Sequence, residues 1–404
     1  MIGTVLHMIW IIVQVIIGFN LVFPLLLFLF YSLVKGIYRP KKPLDLPYQP
    51  DYAVIVTAYE QTDNLPSVVK SLLKLNYPNY LIYIVADKCD ISGLNFDSDK
   101  VVLLRPEETL ASNTRSHFYA INRFVRQHSH LTIIDSDNLV DPAYLDELNV
   151  YFNYGFKAVQ GIREAKNLDT TFACLDAARD IYYHFYDGKV LFGAGSSATL
   201  AGSGMAFTTQ LYVDCLGHLD ITGAGFDKVL QAAILNRNER IAFTGSAIVY
   251  DEKTSRSDQL VSQRSRWINT WFKYFRYGFN IIGNGILKLS LNRFLFGLVL
   301  VRPPLFIFLL LSVLFMIINL VAGQLLISVL WATGLLIFVM GFILALLKSD
   351  TDDKIYSSLV NIPRFMFLQV LSLLKIIRPQ KDNVATKHYA DKQIDDIITD
   401  KREN

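Results

Sequence analysis

Residues 131–137 read Leu-Thr-Ile-Ile-Asp-Ser-Asp, a short β-branched apolar run that stops at two carboxylates. Such a run fits a buried strand. The acids at its end sit where open α/β sheets receive ligands, outside the carboxyl ends of the strands. Three further runs precede it: Tyr52 to Thr57, Leu81 to Ala86 and Lys100 to Leu104. Between them, Leu65, Val68, Val69, Leu72 and Leu73 repeat at helical spacing, and Asn113 to Arg126 reads as a helix. Strands alternating with helices predict an α/β domain with a mostly parallel sheet. Asp87 directly follows the second run, so Asp87, Asp135 and Asp137 are expected on one sheet edge. One acid at a strand end is commonplace; three converging acids point to a ligand site.

Further along, Gly193, Gly195, Gly202 and Gly204 are interleaved with Ser196, Ser197 and Ser203. The cluster permits close backbone approach to a ligand, or forms a flexible surface loop. Asp227 follows Gly223 and Gly225 at the start of a helical run, where an acid caps a helix or faces a site. Asp180 and His184 are spaced i, i+4 but lack a third ligand, which reads as an ordinary helix-surface pair. No dinucleotide fingerprint or P-loop occurs in a strand-to-helix context.

The apolar content is concentrated at the two ends. No Asp, Glu, Lys or Arg occurs in residues 1–34 or 303–347, and 52% of the 404 residues are hydrophobic. A crossing needs about 20 apolar residues. The first stretch therefore predicts one anchor, without the cleavage site of a signal peptide. The second predicts two crossings turning at Asn319 to Gln324. Lys35, Arg39, Lys41 and Lys42 follow the first crossing, which places the central domain in the cytoplasm and the N-terminus outside. Pro40, Pro43, Pro47 and Pro50 form a stiff linker. The expected divisions are residues 1–37 (anchor), 38–262 (cytoplasmic domain), 263–291 (interfacial segment), 292–347 (two crossings) and 348–404 (interfacial helix and tail).

Trp267, Trp271, Phe272, Tyr274, Phe275, Tyr277 and Phe279, with Lys273 and Arg276 among them, fit an amphipathic helix at the membrane interface. Residues 357–377 are apolar but contain Pro363 and Arg364 and are flanked by basic residues, Lys348 and Lys354 before and Lys375, Arg378 and Lys381 after. That favours a helix lying on the cytoplasmic leaflet. The net charge of +3 is dispersed, with no basic block for nucleic acid. Cys89, Cys174 and Cys215 are too widely spaced to outline a disulfide framework or zinc site.

In order, the chain carries Val56-Thr57-Ala58-Tyr59-Glu60, Ala86-Asp87, Asp135-Ser136-Asp137, Leu200-Ala201-Gly202-Ser203-Gly204-Met205, Asp227 and Gln263-Arg264-Ser265-Arg266-Trp267. A lone DxD is weak. Followed by Gln-x-x-Arg-Trp and membrane helices, it resembles the family 2 glycosyltransferases, which include cellulose, chitin and hyaluronan synthases and bacterial exopolysaccharide transferases. The resemblance runs from about residue 50 to the C-terminus and implies a GT-A α/β core. It implies donor-nucleotide contacts from Thr57, Glu60, Asp87 and Asp135, and a divalent cation, Mg²⁺ or Mn²⁺, on Asp137. It implies Asp227 as the base that activates the acceptor hydroxyl. Gln263, Arg264, Arg266 and Trp267 would hold the diphosphate and acceptor, and Gly202, Ser203 and Gly204 would line the acceptor pocket. In similar enzymes the segment around Thr386 stays near the site.

Two departures are visible. Phe226 stands where many members have an acid, and Arg115 or His117 occupies a region that often carries lysine. The implied reaction is inverting transfer from a nucleotide-sugar, a UDP-sugar before others, to a glycan or lipid-linked acceptor. A processive polysaccharide synthase and a noncatalytic nucleotide-binding scaffold are the alternatives. Three crossings are few for a complete channel, so export would call for a secretion or assembly partner.

Overall fold

The computed structural model describes residues 2–37, 49–376 and 392–403. Arg39, Lys41, Lys42, the prolines at 40, 43 and 47, and Arg378, Lys381 and Thr386 lie outside the described residues. The four expected strands form as β1 (Tyr52–Tyr59), β2 (Tyr80–Asp87), β3 (Val101–Leu104) and β4 (His130–Asp135). They are joined in one sheet by β5 (Leu139–Val140), β6 (Ala158–Ala165), β7 (Met205–Thr208) and β8 (Ile241–Asp251). The order is β3-β2-β1-β4-β7-β6-β8-β5. The first four strands are parallel, β7 runs antiparallel between β4 and β6, and β5 runs antiparallel to β8.

Strand β1 shows why the fold is stable. Val54 and Val56 pack on one face with the helix Leu65–Leu72, whereas Ala53 and Ile55 pack on the other. A strand covered on both faces must be apolar throughout, which is the pattern of parallel sheets. The second face is continuous with the apolar helices from the two ends of the chain: one buried cluster runs from Ile133 to Trp331 and Phe338. Gly193 lies so close to Tyr31 of the first helix that a Cβ there would come within 2.3 Å of its ring. The Tyr186 hydroxyl donates to the Gly341 carbonyl at 2.8 Å.

The first apolar stretch is one helix, Ile2–Val34, with Pro24 inside it. At 33 residues it is about 50 Å long, ample for one tilted crossing. Leu325–Leu347 is the second helix long and apolar enough to span. The remaining expected crossing takes a different form. Leu305–Val321 has only 17 residues and is bent by 70° from Leu291–Val301, so the two limbs form a broken span or re-entrant element. The physical cause is Arg302-Pro303-Pro304, which cannot continue a helix. Gln14 joins the helices: its Oε1 accepts from Asn319 Nδ2 at 2.6 Å and Trp331 Nε1 at 3.0 Å.

After a short helix and a 3₁₀ turn, Ile362–Ile376 packs beside Ser257–Tyr274, with Phe365 buried against Leu175 and Leu260. Arg364 is exposed beside the Phe172 ring. A last helix, Ile394–Glu403, docks on the helix Leu65–Leu72 behind the sheet.

Candidate active site

The end of β4 is held in place by the glycine-rich loop. Ser203 is fully buried; its Oγ accepts from the Asp135 N–H at 3.1 Å and from Asn138 Nδ2 at 2.8 Å. Gln160 of β6 braces the same loop, accepting from the Ala201 N–H and donating to the Ser203 and Gly204 carbonyls. Gly202 and Gly204 have φ of +89° and +66°, a region that side chains disfavour. Across the β1–β4 pair, Asp135 stands in register with Thr57.

Asp227 lies in the first turn of the helix Phe226–Asn236, where the helix dipole favours a carboxylate. Gly225 sets its position. Its φ is +99°, and a Cβ there would come within 2.5 Å of the Tyr274 ring and 2.6 Å of Thr270. The start of this helix therefore fits tightly against Ser257–Tyr274, the helix carrying Gln263 and Trp267. Lys228 Nζ is 3.1 Å from Asp227 Oδ2.

These segments enclose a cavity of about 650 Å³. Thr57, Asp135 and Asp137 line it, as do Gly202, Asp227, Gln263, Arg264 and Trp267. Its floor is an ionic cluster drawn from distant segments. Lys253 Nζ donates to Asp180 at 2.7 Å and to Asp251 at 3.1 Å, Arg179 pairs with Asp180, and Arg264 pairs with Asp176. Burial acts to raise both Asp176 and Asp180. For Asp180, the charges of Arg179, Lys253 and Arg163 outweigh it and hold the carboxyl well below its ordinary range, whereas Asp176 stays raised. Asp180 is thus no surface residue: the expected surface pair with His184 is corrected to a buried member of this cluster. Its burial is tolerable because its charge is matched by partners far away in sequence.

Several expected site residues lie elsewhere. Asp87 is buried and outside the cavity wall, and its two oxygens accept from the N–H groups of Leu110 and Ala111 at 2.9 and 2.7 Å. It pins a turn in which Ala111 has φ +45°. Glu60 is also outside the wall, 2.7 Å from Lys88 Nζ. Arg266 is partly buried and does not line the cavity, although Arg264, two residues earlier, does. Ser203 and Gly204 lie behind the wall as braces of the loop rather than in it. Trp267 is 39% exposed, and its ring already lies 4.2 Å from both the Arg179 and Arg264 guanidinium carbons.

Sequence reasoning passed over Arg163, Asp176, Arg179, Asp187 and Arg302, all in the wall. Arg302 alone left a legible signal: a lone charge beside an apolar stretch is costly and marks a functional position.

Among the described residues, no three His, Cys, Asp or Glu side chains gather to hold a metal unaided. Asp135 and Asp137 nevertheless bring carboxylates to the cavity wall. That donor set fits Mg²⁺ or Mn²⁺, which bind through one or two carboxylates and complete their shell with phosphate oxygens and water.

With this geometry in view, a family model described as "Glycosyltransferase like family 2" matches residues 50–270, more than half of the chain. The chain belongs to this family. The mannosyltransferase PcManGT from Pyrobaculum calidifontis, solved with GDP-Man and Mn2+, is similar over 89% of this chain and 98% of its own, at 15% identity and a TM-score of 0.53. That likeness shows a shared GT-A fold. TarS residues 1–349 from S. aureus, solved with UDP-GlcNAc, match over 60% of this chain and 72% of that one at 15% identity; the TM-score of 0.40 lends no further weight. No curated protein matches the sequence. Two of its helices, within Thr4–Val34 and Leu325–Leu347, are long and apolar enough to cross a membrane.

Proposed function

We propose that this glycosyltransferase transfers a sugar from a nucleotide-diphospho-sugar to a glycan or lipid-linked saccharide hydroxyl with inversion, from the cytoplasmic face of a membrane. One observation supports this reading above others: a single cavity gathers Thr57, Asp135, Asp137, Asp227, Gln263 and Trp267 from segments up to about 200 residues apart. Asp135 and Asp137 take the donor's diphosphate end, where Asp137 would hold a divalent cation. Bound at that point, Mg²⁺ or Mn²⁺ supplies charge neutralisation for the leaving diphosphate.

Asp227 accepts the proton of the acceptor hydroxyl as that oxygen attacks the anomeric carbon. The attacking oxygen gains the C–O bond while the nucleoside diphosphate leaves with the old bonding pair. Direct displacement of this kind inverts the anomeric centre. Gln263 and Trp267 orient the acceptor, and the loop at Gly202 lines its pocket. Thr57 and Asp135 contact the donor nucleotide from within the cavity wall, and Asp87 and Glu60, which lie outside that wall, would contact it from beside them.

Calorimetric titration of the purified protein with UDP and GDP, with and without Mn²⁺, tests the donor half. Tight binding that needs Mn²⁺ and is lost in Asp137→Ala is expected. Metal-independent binding unchanged in that variant would remove the assigned role.

A further inference from the structure

The cavity does not end at the reacting carboxylates. It continues to the break between Leu291–Val301 and Leu305–Val321, where Val299, Leu300, Pro303, Pro304, Leu305 and Phe306 form its wall. Irregular backbone in a membrane-entering segment is tolerated where it is buried in protein or lines a cavity. Here it lines the same cavity as Asp135 and Asp227.

The π-helical turn His184–Val190, an irregularity often found at functional sites, contributes His184, Asp187 and Gly188 to the same wall. Gly188 lets this turn pack closely on Phe243, since a Cβ there would come within 2.6 Å of the ring. The turn places Asp187 in the cavity wall, paired through Oδ2 with Arg302. Asp187 is 4% exposed, and its other oxygen, Oδ1, is buried without a hydrogen-bond partner among the described residues. Arg264 likewise has Nε and Nη1 buried without partners. Leaving such groups unsatisfied is costly, so they mark positions that a ligand completes.

Every acid of this cluster already has a cation: Arg163, Arg179, Arg264, Arg302 and Lys253 face Asp176, Asp180, Asp187 and Asp251. What Asp187 Oδ1 lacks is a donor and what Arg264 lacks is an acceptor, and a hydroxyl supplies both. Half-exposed Trp267 adds a flat apolar surface of the kind that stacks on a sugar ring. Val299, Leu300, Leu305 and Phe306 give the same wall an apolar portion.

We propose that the acceptor is an amphiphile, a saccharide headgroup on a hydrocarbon tail, which enters from the bilayer at the 302–304 break. Asp187 Oδ1 and Arg264 bind its hydroxyls, and the apolar end of the cavity takes the first carbons of its tail. Arg302 acts as a positioning residue that fixes the Asp187 carboxylate. This rests on the reading of the cavity as a donor and acceptor site.

The test uses the full chain and alkyl glycosides as probes, in gluco, galacto, manno and N-acetylglucosamine forms, each with a methyl or hexyl aglycone. Binding is followed by tryptophan fluorescence in the presence of Mn²⁺ and nucleoside diphosphate. At least one hexyl glycoside should bind tenfold or more tightly than its methyl counterpart, a modest share of what burying five methylenes provides. The double variant Asp187→Leu/Arg302→Met removes the ion pair without stranding a charge. It should weaken that hexyl glycoside at least tenfold while nucleoside diphosphate affinity stays within threefold. Leu305→Ser, a milder change at the tail end, should abolish the hexyl preference and leave methyl glycoside affinity unchanged. Equal affinity for both chain lengths, no binding of any probe, or undiminished binding in both variants would overturn the proposal. Failure of the wild type to bind nucleoside diphosphate, with hexyl glycosides still bound, would instead strike the donor assignment.

Discussion

The Ser203 hydroxyl accepts a hydrogen bond from the Asp135 amide at 3.1 Å and so couples the glycine-rich loop to the end of β4. It also accepts from Asn138 Nδ2, a residue whose own Oδ1 is buried without a partner among the described residues. Ser203→Ala would strip acceptors from two donors at once. The expected cost is about 1–3 kcal/mol, read as a lowered Tm, together with a several-fold loss of nucleoside diphosphate affinity. Unchanged affinity at reduced Tm would confine Ser203 to a structural role.

Gly225 controls where Asp227 stands. Alanine at this position would adopt an unfavourable φ of +99° and push on Tyr274. Gly225→Ala should reduce turnover tenfold or more while changing donor affinity little, because the added Cβ would meet Tyr274 and Thr270 and none of the donor residues. Steady-state rates beside donor titrations separate the two effects.

The C-terminal helix is held by two kinds of contact, and burial should dominate. Ile394 is fully buried and Ile397 nearly so, whereas the Asp395 pairs with Lys70 and Lys74 lie at the surface. Ile394→Ala should cost about 2 kcal/mol. Asp395→Asn should leave Tm unchanged within error, since exposed ion pairs are screened. Thermal unfolding of both variants decides the ranking.

Burial lowers His130 from 6.5 to about 4 and His117 from 6.5 to about 3. Both are therefore neutral in the fold, and between those values and 6.5 the unfolded chain binds the extra protons. Their stabilising contribution is complete above pH 6.5 and is lost progressively as pH falls towards 4. Tm should drop on acidification through this window, and His130→Gln should flatten the slope. A Tm that rises on acidification would contradict the sign.

Much of the sheet was legible because β1, β2 and β4 are apolar on both faces, which sequence displays as unbroken runs. Two of the strands that escaped notice also line the site. In β6, Gln160 and Arg163 interrupt the apolar pattern because they face the cavity. In β8, exposed Gly245 and Ser246 split an 11-residue strand in two. The acids of the DxD stretch were findable from position alone, whereas Asp227, equally readable as a helix cap, was singled out only by the resemblance to family 2 enzymes. Asp176, Arg179 and Asp180 were not: on a helix they look like a solvated face, and only tertiary partners such as Lys253 and Arg264 reveal them as buried. Asp187 was equally hidden, since nothing local announces its pairing with Arg302, 115 residues away.

The central claim is that Asp227 removes the acceptor proton. The most direct measurement is nucleoside diphosphate release by Asp227→Asn and wild type, with membranes supplying native acceptor across a panel of UDP- and GDP-sugars. Loss of a positioned base should slow turnover about 10²–10⁴-fold, with donor affinity within threefold of wild type. Turnover within a few-fold of wild type would contradict the account and place the base on another residue.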